Sequence, residues 1–421
     1  MEKQQRTVAT LSGKQIAAVA AGNALEFYDF LIFGFFAVQI SAVFFPSDSP
    51  TTSLLRTLAI FGVGFLTRPL GGILIGPLGD RIGRKPAMLL SFGLMGLAIV
   101  GMALTPSYAS IGIAAPVLAV IFRLLQGFAL GGEVGPTTAF LMEAAPPEKR
   151  GRYVSIQLAT QYAATLTAGV IGVLLARSLT PENLVAWGWR VAMLLGAAVV
   201  PFALIIRRSL PETFARQAGV KPPAMTRAQL KLSLLMLVMA AAATIANYIL
   251  ISLNIFATQT LGLTSAQAFG AVAAAGLCGA IAAPVGGWLC DRLGRKPMMI
   301  ATFAFLCVVS LPCFMLMTQL RTPLALYGSA VLMTVLLALG IPASLSFMSE
   351  NLPPHLRSGG IGIIYAVAIA LFGGTAAFVV TWLTAVTASP LAPAWYMCGA
   401  LLVGLCAMLA VRESAPVKTG G

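Results

Sequence analysis

Charge is scarce in this chain: only 10% of its 421 residues are Asp, Glu, Lys or Arg, against about 25% in a soluble globular protein. Too little polar surface remains to cover a soluble core of this size. Histidine is scarcer still. The single one, His355, falls in a short loop, which excludes a histidine-based metal site. The six cysteines (Cys278, Cys290, Cys307, Cys313, Cys398 and Cys406) lie in or at the edge of apolar segments. They form neither a CxxC pair nor a metal spacing and read as small buried residues. No Ser–His pair, nucleotide-binding glycine loop or long polar domain occurs. These absences argue against an enzyme and against a sensor with a soluble output domain, and no metal or cofactor is expected.

What is abundant is apolar sequence, 58% of the chain, with many uninterrupted runs of 18 residues or more. Each is long enough to cross ~30 Å of hydrocarbon. In lipid every backbone polar group needs an internal partner, so only helices and closed barrels span. Long runs without strict alternation choose helices. Twelve spans are expected, at 15–44, 54–77, 86–105, 111–143, 153–177, 188–206, 232–259, 265–289, 298–317, 324–350, 359–387 and 394–411. The basic start (Lys3, Arg6, Lys14) before an apolar run resembles a signal peptide. That run is too long, contains Glu26 and Asp29 and lacks a convincing cleavage site, so it reads as a retained first membrane helix.

The formal charge of +14 would suggest nucleic acid in a soluble protein. Here Lys and Arg sit in short loops between spans. With both termini cytoplasmic, all of the 27 Lys and Arg residues fall on the inner side except Arg56, Arg68, Arg123, Arg177, Arg190 and Arg321. This positive-inside bias predicts a multi-pass protein of the cell (inner) membrane, whose partner is the lipid bilayer and not nucleic acid.

An internal repeat sets the architecture. Gly79-Asp80-Arg81-Ile82-Gly83-Arg84-Lys85-Pro86 recurs 211 residues later as Cys290-Asp291-Arg292-Leu293-Gly294-Arg295-Lys296-Pro297. Glu143-Ala-Ala-Pro146-Pro147-Glu-Lys-Arg150 recurs 207 residues later as Glu350-Asn-Leu-Pro353-Pro354-His-Leu-Arg357. Two separate motifs at nearly one offset imply a duplicated half. The longest polar segment falls between the halves. The expected organisation is a six-helix bundle at 1–206, a central cytoplasmic loop at 207–231 and a second six-helix bundle at 232–421. Parallel repeats of this kind place a transport cavity at their interface.

Further stretches belong with this pattern: Gly22-Asn23-Ala-Leu-Glu26-Phe-Tyr28-Asp29-Phe, Arg68-Pro69-Leu-Gly71, Arg123-x-x-Gln126-Gly127, Gly131-Gly132-Glu133, Trp187-Gly-Trp189-Arg190, Arg207-Arg208-Ser-Leu and Phe372-Gly373-Gly374. Together they resemble the major facilitator superfamily, in particular its metabolite–proton symporters, over essentially the whole chain. Phe61-Gly-Val-Gly-Phe-Leu-Thr-Arg68, Arg207-Arg-Ser-Leu-Pro-Glu-Thr213 and Ala394-Trp395-Tyr-Met397-Cys398 look most like citrate–proton and tricarballylate transporters. The resemblance implies an all-α membrane fold of twelve helices in two pseudo-symmetric bundles around a central cavity. It implies proton-coupled import of a small organic anion, citrate or a related di- or tricarboxylate, by a functional monomer. A dicarboxylate, a shikimate-like acid or a zwitterion remains open, as does proton-driven drug export. Helix 5 contains no proline, and so lacks the signature of exporters.

Candidate site residues follow from polar groups inside apolar spans. Glu26 and Asp29 are three apart in helix 1, and a charge at the bilayer centre costs ~2.5–3.5 kcal/mol on insertion scales. Such carboxylates face a cavity or a partner. They are candidate proton carriers, or else an ion pair fixing helix 1. Arg123, deep in helix 4, is the third coupling candidate and a substrate ligand, because its planar fork suits a carboxylate. It could pair with Asp29 or Glu26 and exchange that partner for substrate. Arg68 reads as structural. The proposed cavity wall is Tyr28, Gln157, Gln161, Tyr162, Asn247, Tyr248, Asn254 and Tyr365, with Asn247, Asn254 and Thr258 on one helical face and Tyr365 seven residues from Phe372. Each could equally be a helix–helix bond. Arg123 alone cannot neutralise a trivalent anion, so co-transported protons or an accompanying cation must contribute. By resemblance, Asp80, Arg84, Asp291 and Arg295 latch the cytoplasmic gate, with Glu143, Arg150, Glu350 and Arg357 alongside. Asp80 and Asp291 can accept from arginines or helix N-terminal amides.

Overall fold

The computed structural model describes residues 24, 27–82, 84–131, 145–197, 226–352 and 363–419, without the side chains of 76–89. Each of the twelve expected spans contains a helix. We label them α1, the pair Phe27–Phe35 and Ala37–Phe44; α2, Pro50–Leu66 continuing as Arg68–Ile82; α3, Arg84–Leu104; and α4, Ala114–Leu130. Then come α5, Arg150–Ser178; α6, 189–197; α7, Arg227–Ile251 continuing as Leu253–Gln259; and α8, Ser265–Leu293. The last four are α9, Arg295–Leu320; α10, Pro323–Asn351; α11, Ile363–Thr387; and α12, Ala392–Ala410. Among the described residues, eight helices are long and apolar enough to cross a bilayer alone, and bent α1 adds a ninth.

Local sequence explains the starts and breaks. Ser49, Thr226, Thr264 and Thr322 cap α2, α7, α8 and α10, and Gln229 and Gln267 complete capping boxes at α7 and α8. The turn from α8 to α9 passes through Gly294 at φ 108°, where an L side chain would be strained. The two segments of α1 meet at 65°. At this break the Phe35 carbonyl accepts from Asn254 Nδ2 at 2.7 Å, the kind of side-chain intrusion that kinks a helix. Two π-helical turns, Leu184–Gly188 before α6 and Ile369–Gly373 within α11, also interrupt the regular period.

These interruptions correct two expectations of shared faces. The π turn in α11 begins after Tyr365 and contains Phe372, and the two side chains join different apolar clusters. In α7 the helix breaks at Ser252. Asn247 and Asn254 consequently end in different surroundings, one at a cavity and one on the α1 break.

One large apolar cluster draws only on residues 232–411. A second is built mainly from 24–197, with Tyr248, Phe269 and Ile369 reaching into it. The expected boundary at 207–231 lies outside the described residues except for 226–231. Where α5 crosses α8, backbones nearly touch. A Cβ at Gly276 would collide with the backbone of Leu166, and one at Gly287 would lie 2.5 Å from the Gly151 carbonyl oxygen. Small residues let membrane helices approach this closely, and here they join the two halves of the repeat.

Candidate functional site

A partly open cavity lies among α1, α5, α7, α8 and α10, with about 530 Å³ of empty space when the solvent at its mouth is included. Its polar wall is Gln161, Tyr162 and Thr165 of α5, Asn247 of α7 and Thr334 of α10. Phe27, Leu31 and Phe35, spaced by four along α1, give it an apolar wall. Tyr162 is buried, and its Oη has no hydrogen-bond partner. Buried hydroxyls are ordinarily satisfied, and this one is an exception. The Thr165 hydroxyl donates back to the Gln161 carbonyl at 3.1 Å. Among the described residues the lining carries amides, hydroxyls and a phenol but no charged side chain. It can bond carboxylate and hydroxyl oxygens without neutralising them.

Of the residues expected at this wall, the structure brings together Gln161, Tyr162 and Asn247. Gln157 is buried one turn from Gln161 and has a partner of its own. The Tyr28 hydroxyl donates to the Ala192 carbonyl of α6 at 2.9 Å. Asn254 donates its Nδ2 to Phe35 while its Oδ1 has no partner, and Tyr248 packs on Phe65 with ring centroids 5.7 Å apart. Tyr365 packs against the cluster of the first half and has a partner as well. The expectation omitted Thr165 and Thr334. Thr165 was findable, four residues after Gln161, whereas Thr334 stands in an apolar run with no signal around it.

The carboxylate and arginine expected to compete for each other lie apart. Asp29 is buried against Gly196 of α6, and its Oδ1 has no partner. Arg123 is 1% exposed. Its guanidinium donates to the Gln126 side-chain oxygen and, at 3.5 Å, to the Phe61 carbonyl. It stacks 4.4 Å from the Phe33 ring centroid, 5.0 Å from that of Phe61 and 5.3 Å from that of Phe30. Asp29, one position before Phe30, is carried about 100° round α1 from it. Among the described residues no carboxylate pairs with Arg123. Arg68 shares the same aromatic bed, 4.7 Å from the Phe30 centroid and 4.7 Å from that of Phe65. Glu26 lies outside the described residues.

At the motif-bearing end the second copy of the repeat forms a closed charge cluster. Asp291 accepts from the Gly151 amide at 2.9 Å and the Arg152 amide at 3.0 Å, in the first turn of α5. A carboxylate at a helix N-terminus is stabilised by the unpaired amides there and by the helix dipole. Arg295 bridges Asp291 at 2.6 Å and grips Glu350 with two nitrogens at 3.0 and 3.3 Å. Arg150 stands 3.9 Å from Glu350, and Arg152 stands 4.0 Å from Asp291. Each links the first half to the second.

The reading of the sequence missed Glu413 and Ser414 here. Glu413 accepts from the Arg295 and Lys296 amides at 2.9 and 3.0 Å, and the Ser414 hydroxyl donates to Glu350 at 2.8 Å. An isolated acid just after the last span, facing a basic motif, was the available signal. Of the other gate candidates, Glu143 and Arg357 lie outside the described residues, as do the side chains of Asp80 and Arg84.

The opposite end is closed without ion pairs among the described residues. Ala37 of α1 and Leu54 and Leu58 of α2 pack on Ile255 of α7 and Ala377 of α11. The Asn254–Phe35 bond lies beside them. The cavity thus lies between two sets of contacts that join the halves.

Comparison with known proteins agrees with this geometry. The chain is 32% identical over 412 residues to the citrate–proton symporter of Klebsiella pneumoniae, covering 96% of this chain and 93% of the relative. It is 32% identical over 371 residues to the alpha-ketoglutarate permease of Escherichia coli, covering 86% of this chain and 85% of that one. Its fold matches the E. coli xylose transporter XylE, in a partially occluded inward-open conformation, with a TM-score of 0.77 at 15% identity. That match covers 97% of this chain and 98% of the transporter. Residues 19–377 match the Major Facilitator Superfamily, and the chain belongs to that family of membrane transporters.

Proposed function

We propose that this protein is a proton-coupled importer of a small organic anion, with citrate or a related di- or tricarboxylate as the leading substrate. The observation that supports this reading is the cavity between the two repeats, a largely apolar space with a polar patch, lined by side chains of both and flanked by different inter-half contacts at its two ends. The names of the two relatives supply the carboxylate class and, for one of them, the proton. Transport would proceed by rocking of the 1–206 and 232–421 bundles, in the inner membrane with cytoplasmic termini and as a monomer. No cofactor takes part. Protons accompany the substrate, and a cation accompanies it if its charge demands one.

Asp29 is the proposed proton carrier in the described structure, with Glu26 its alternative on the same helix. The Asp291–Arg295–Glu350 cluster is the cytoplasmic latch. Asp80, Arg84 and Glu143 are its counterparts by repeat, and Arg357 is the counterpart of Arg150, which joins both sides. Uptake of labelled citrate into proteoliposomes, with and without an inward proton gradient, tests the reading. Accumulation should require the gradient, and Asp29→Asn should abolish accumulation while sparing exchange. Gradient-independent equilibration by the wild type would defeat proton coupling.

The uncharged cavity lining favours a second reading, an acid of low net charge or a zwitterion. Competition of labelled uptake by glycine betaine separates the two.

A further inference from the structure

Two guanidinium groups, Arg123 buried and Arg68 partly buried, share one aromatic bed and, among the described residues, no acid. Arg68 from α2 and Arg123 from α4 both approach the Phe30 ring, at 4.7 and 5.3 Å from its centroid. Phe33, Phe61 and Phe65 complete the bed. A guanidinium carries five N–H donors, yet among the described residues Arg123 reaches only the Gln126 oxygen and the distant Phe61 carbonyl. Arg123 Nε, Arg68 Nε and Gln126 Nε2 are all buried donors without acceptors. Arg123 and Gln126 are at most 3% exposed. Aromatic faces attract cations but cannot accept three further hydrogen bonds at the ring edges. Two like charges brought together in apolar surroundings, with unfilled donors, describe a site waiting for an anion. Tyr248 of the second half packs on Phe65 at 5.7 Å and stands within electrostatic reach of both arginines.

We propose that Arg68 and Arg123, with the Gln126 amide, form a carboxylate subsite of the transport pathway, covered by Tyr248 in this conformation. It rests on the carboxylate reading above and supplies the positive charge that the cavity lining lacks. Substrate oxygens would reach it when α7 moves with its half and carries Tyr248 off Phe65. Arg68 then becomes a specificity residue rather than a structural one, and two cations in place of one favour acids with more than a single carboxylate.

The test uses the full-length protein in lipid nanodiscs at fixed ionic strength and reads the melting-temperature shift against concentration of citrate, glycine betaine or choline. Citrate should stabilise the wild type and the exposed control Arg321→Gln alike. Arg68→Gln and Arg123→Gln should each lose the shift. Arg68→Lys, which keeps the charge and folds most easily, should need about tenfold or more citrate for the same shift. If glycine betaine stabilises and citrate does not, with the same loss in Arg68→Gln and Arg68→Lys, the subsite stands and the citrate reading falls. If Arg68→Lys and Arg68→Gln respond to carboxylates as the wild type does, the subsite is overturned and the citrate reading survives. The subsite is equally overturned if no carboxylate shifts the wild type more than choline.

Discussion

Arg123 and Arg295 are equally buried, each 1% exposed, yet they live in opposite circumstances. Arg295 faces two carboxylates, Asp291 at 2.6 Å and Glu350 at 3.0 and 3.3 Å, with Cys290 Sγ at 3.3 Å. Arg123 has a neutral amide, a backbone carbonyl and three phenyl rings. Burying a charge costs several kcal/mol unless it is compensated nearby. The cluster at the motif-bearing end is compensated within the protein and ties the two halves together. The arginine in the membrane interior has no such partner among the described residues, which is the ground of the carboxylate subsite proposed above. Equal burial therefore says little about role; the partners say it.

Removal of the guanidinium should break this symmetry most visibly. Arg295→Met leaves Asp291 and Glu350 buried without their main cation and should cost ~3–5 kcal/mol, read as a lower unfolding midpoint in detergent. Arg123→Met strands no acid among the described residues and should leave that midpoint within about 1 kcal/mol of the wild type, since relief of uncompensated burial offsets the lost contacts. Equal losses in the two variants would mean that Arg123 has a permanent structural partner.

A smaller effect is expected from Asp291→Asn, which preserves shape but weakens charged bonds to Arg295 and to the first turn of α5. The loss should be about 1.5–3 kcal/mol, expressed as opening rather than unfolding. A cysteine placed at Gln161 should then label faster from the cytoplasmic side, and unchanged labelling in folded protein would remove Asp291 from the latch. The least effect belongs to Ser414→Ala, which deletes one bond to Glu350 and should cost about 0.5–1.5 kcal/mol. The unfolding midpoint measures it, and a loss as large as that of Asp291→Asn would make the C-terminal segment a principal part of the closure.

The helices and their order were legible because length and apolarity alone decide what can cross a bilayer, and the repeat was legible because both motifs survive as strings. The acceptance of α5 amides by Asp291 was legible in kind, since an acid beside a helix start has few other uses. Phase around the helices was not. Tyr365 and Phe372 differ by a π turn, and Asn247 and Asn254 by a break at Ser252. Each interruption is held by tertiary contacts that a 3.6-residue period cannot register. Asp29 and Arg123 were expected together because both are charges deep in apolar spans. Which face of α1 turns to α4 is decided by Phe30 and Phe33 filling the space beside Arg123. Glu413 was legible only as an isolated acid after the last span; that its partners are the Arg295 and Lys296 backbone amides is something no sequence pattern advertises.

The glycine-lined crossing of α5 and α8 bears on the rate of the cycle. Long side chains lose up to ~2 kcal/mol of rotamer entropy when they are locked into an interface, whereas glycine and alanine lose essentially none. At Gly276 against Leu166 and Gly287 against Gly151 the contact is largely backbone on backbone. When the halves tilt, this crossing can part and re-form with little side-chain freedom surrendered or regained. The barrier to reorientation should then be set at the two ends, by the ion pairs of one and the apolar contacts of the other, and salt should act on the first far more than on the second.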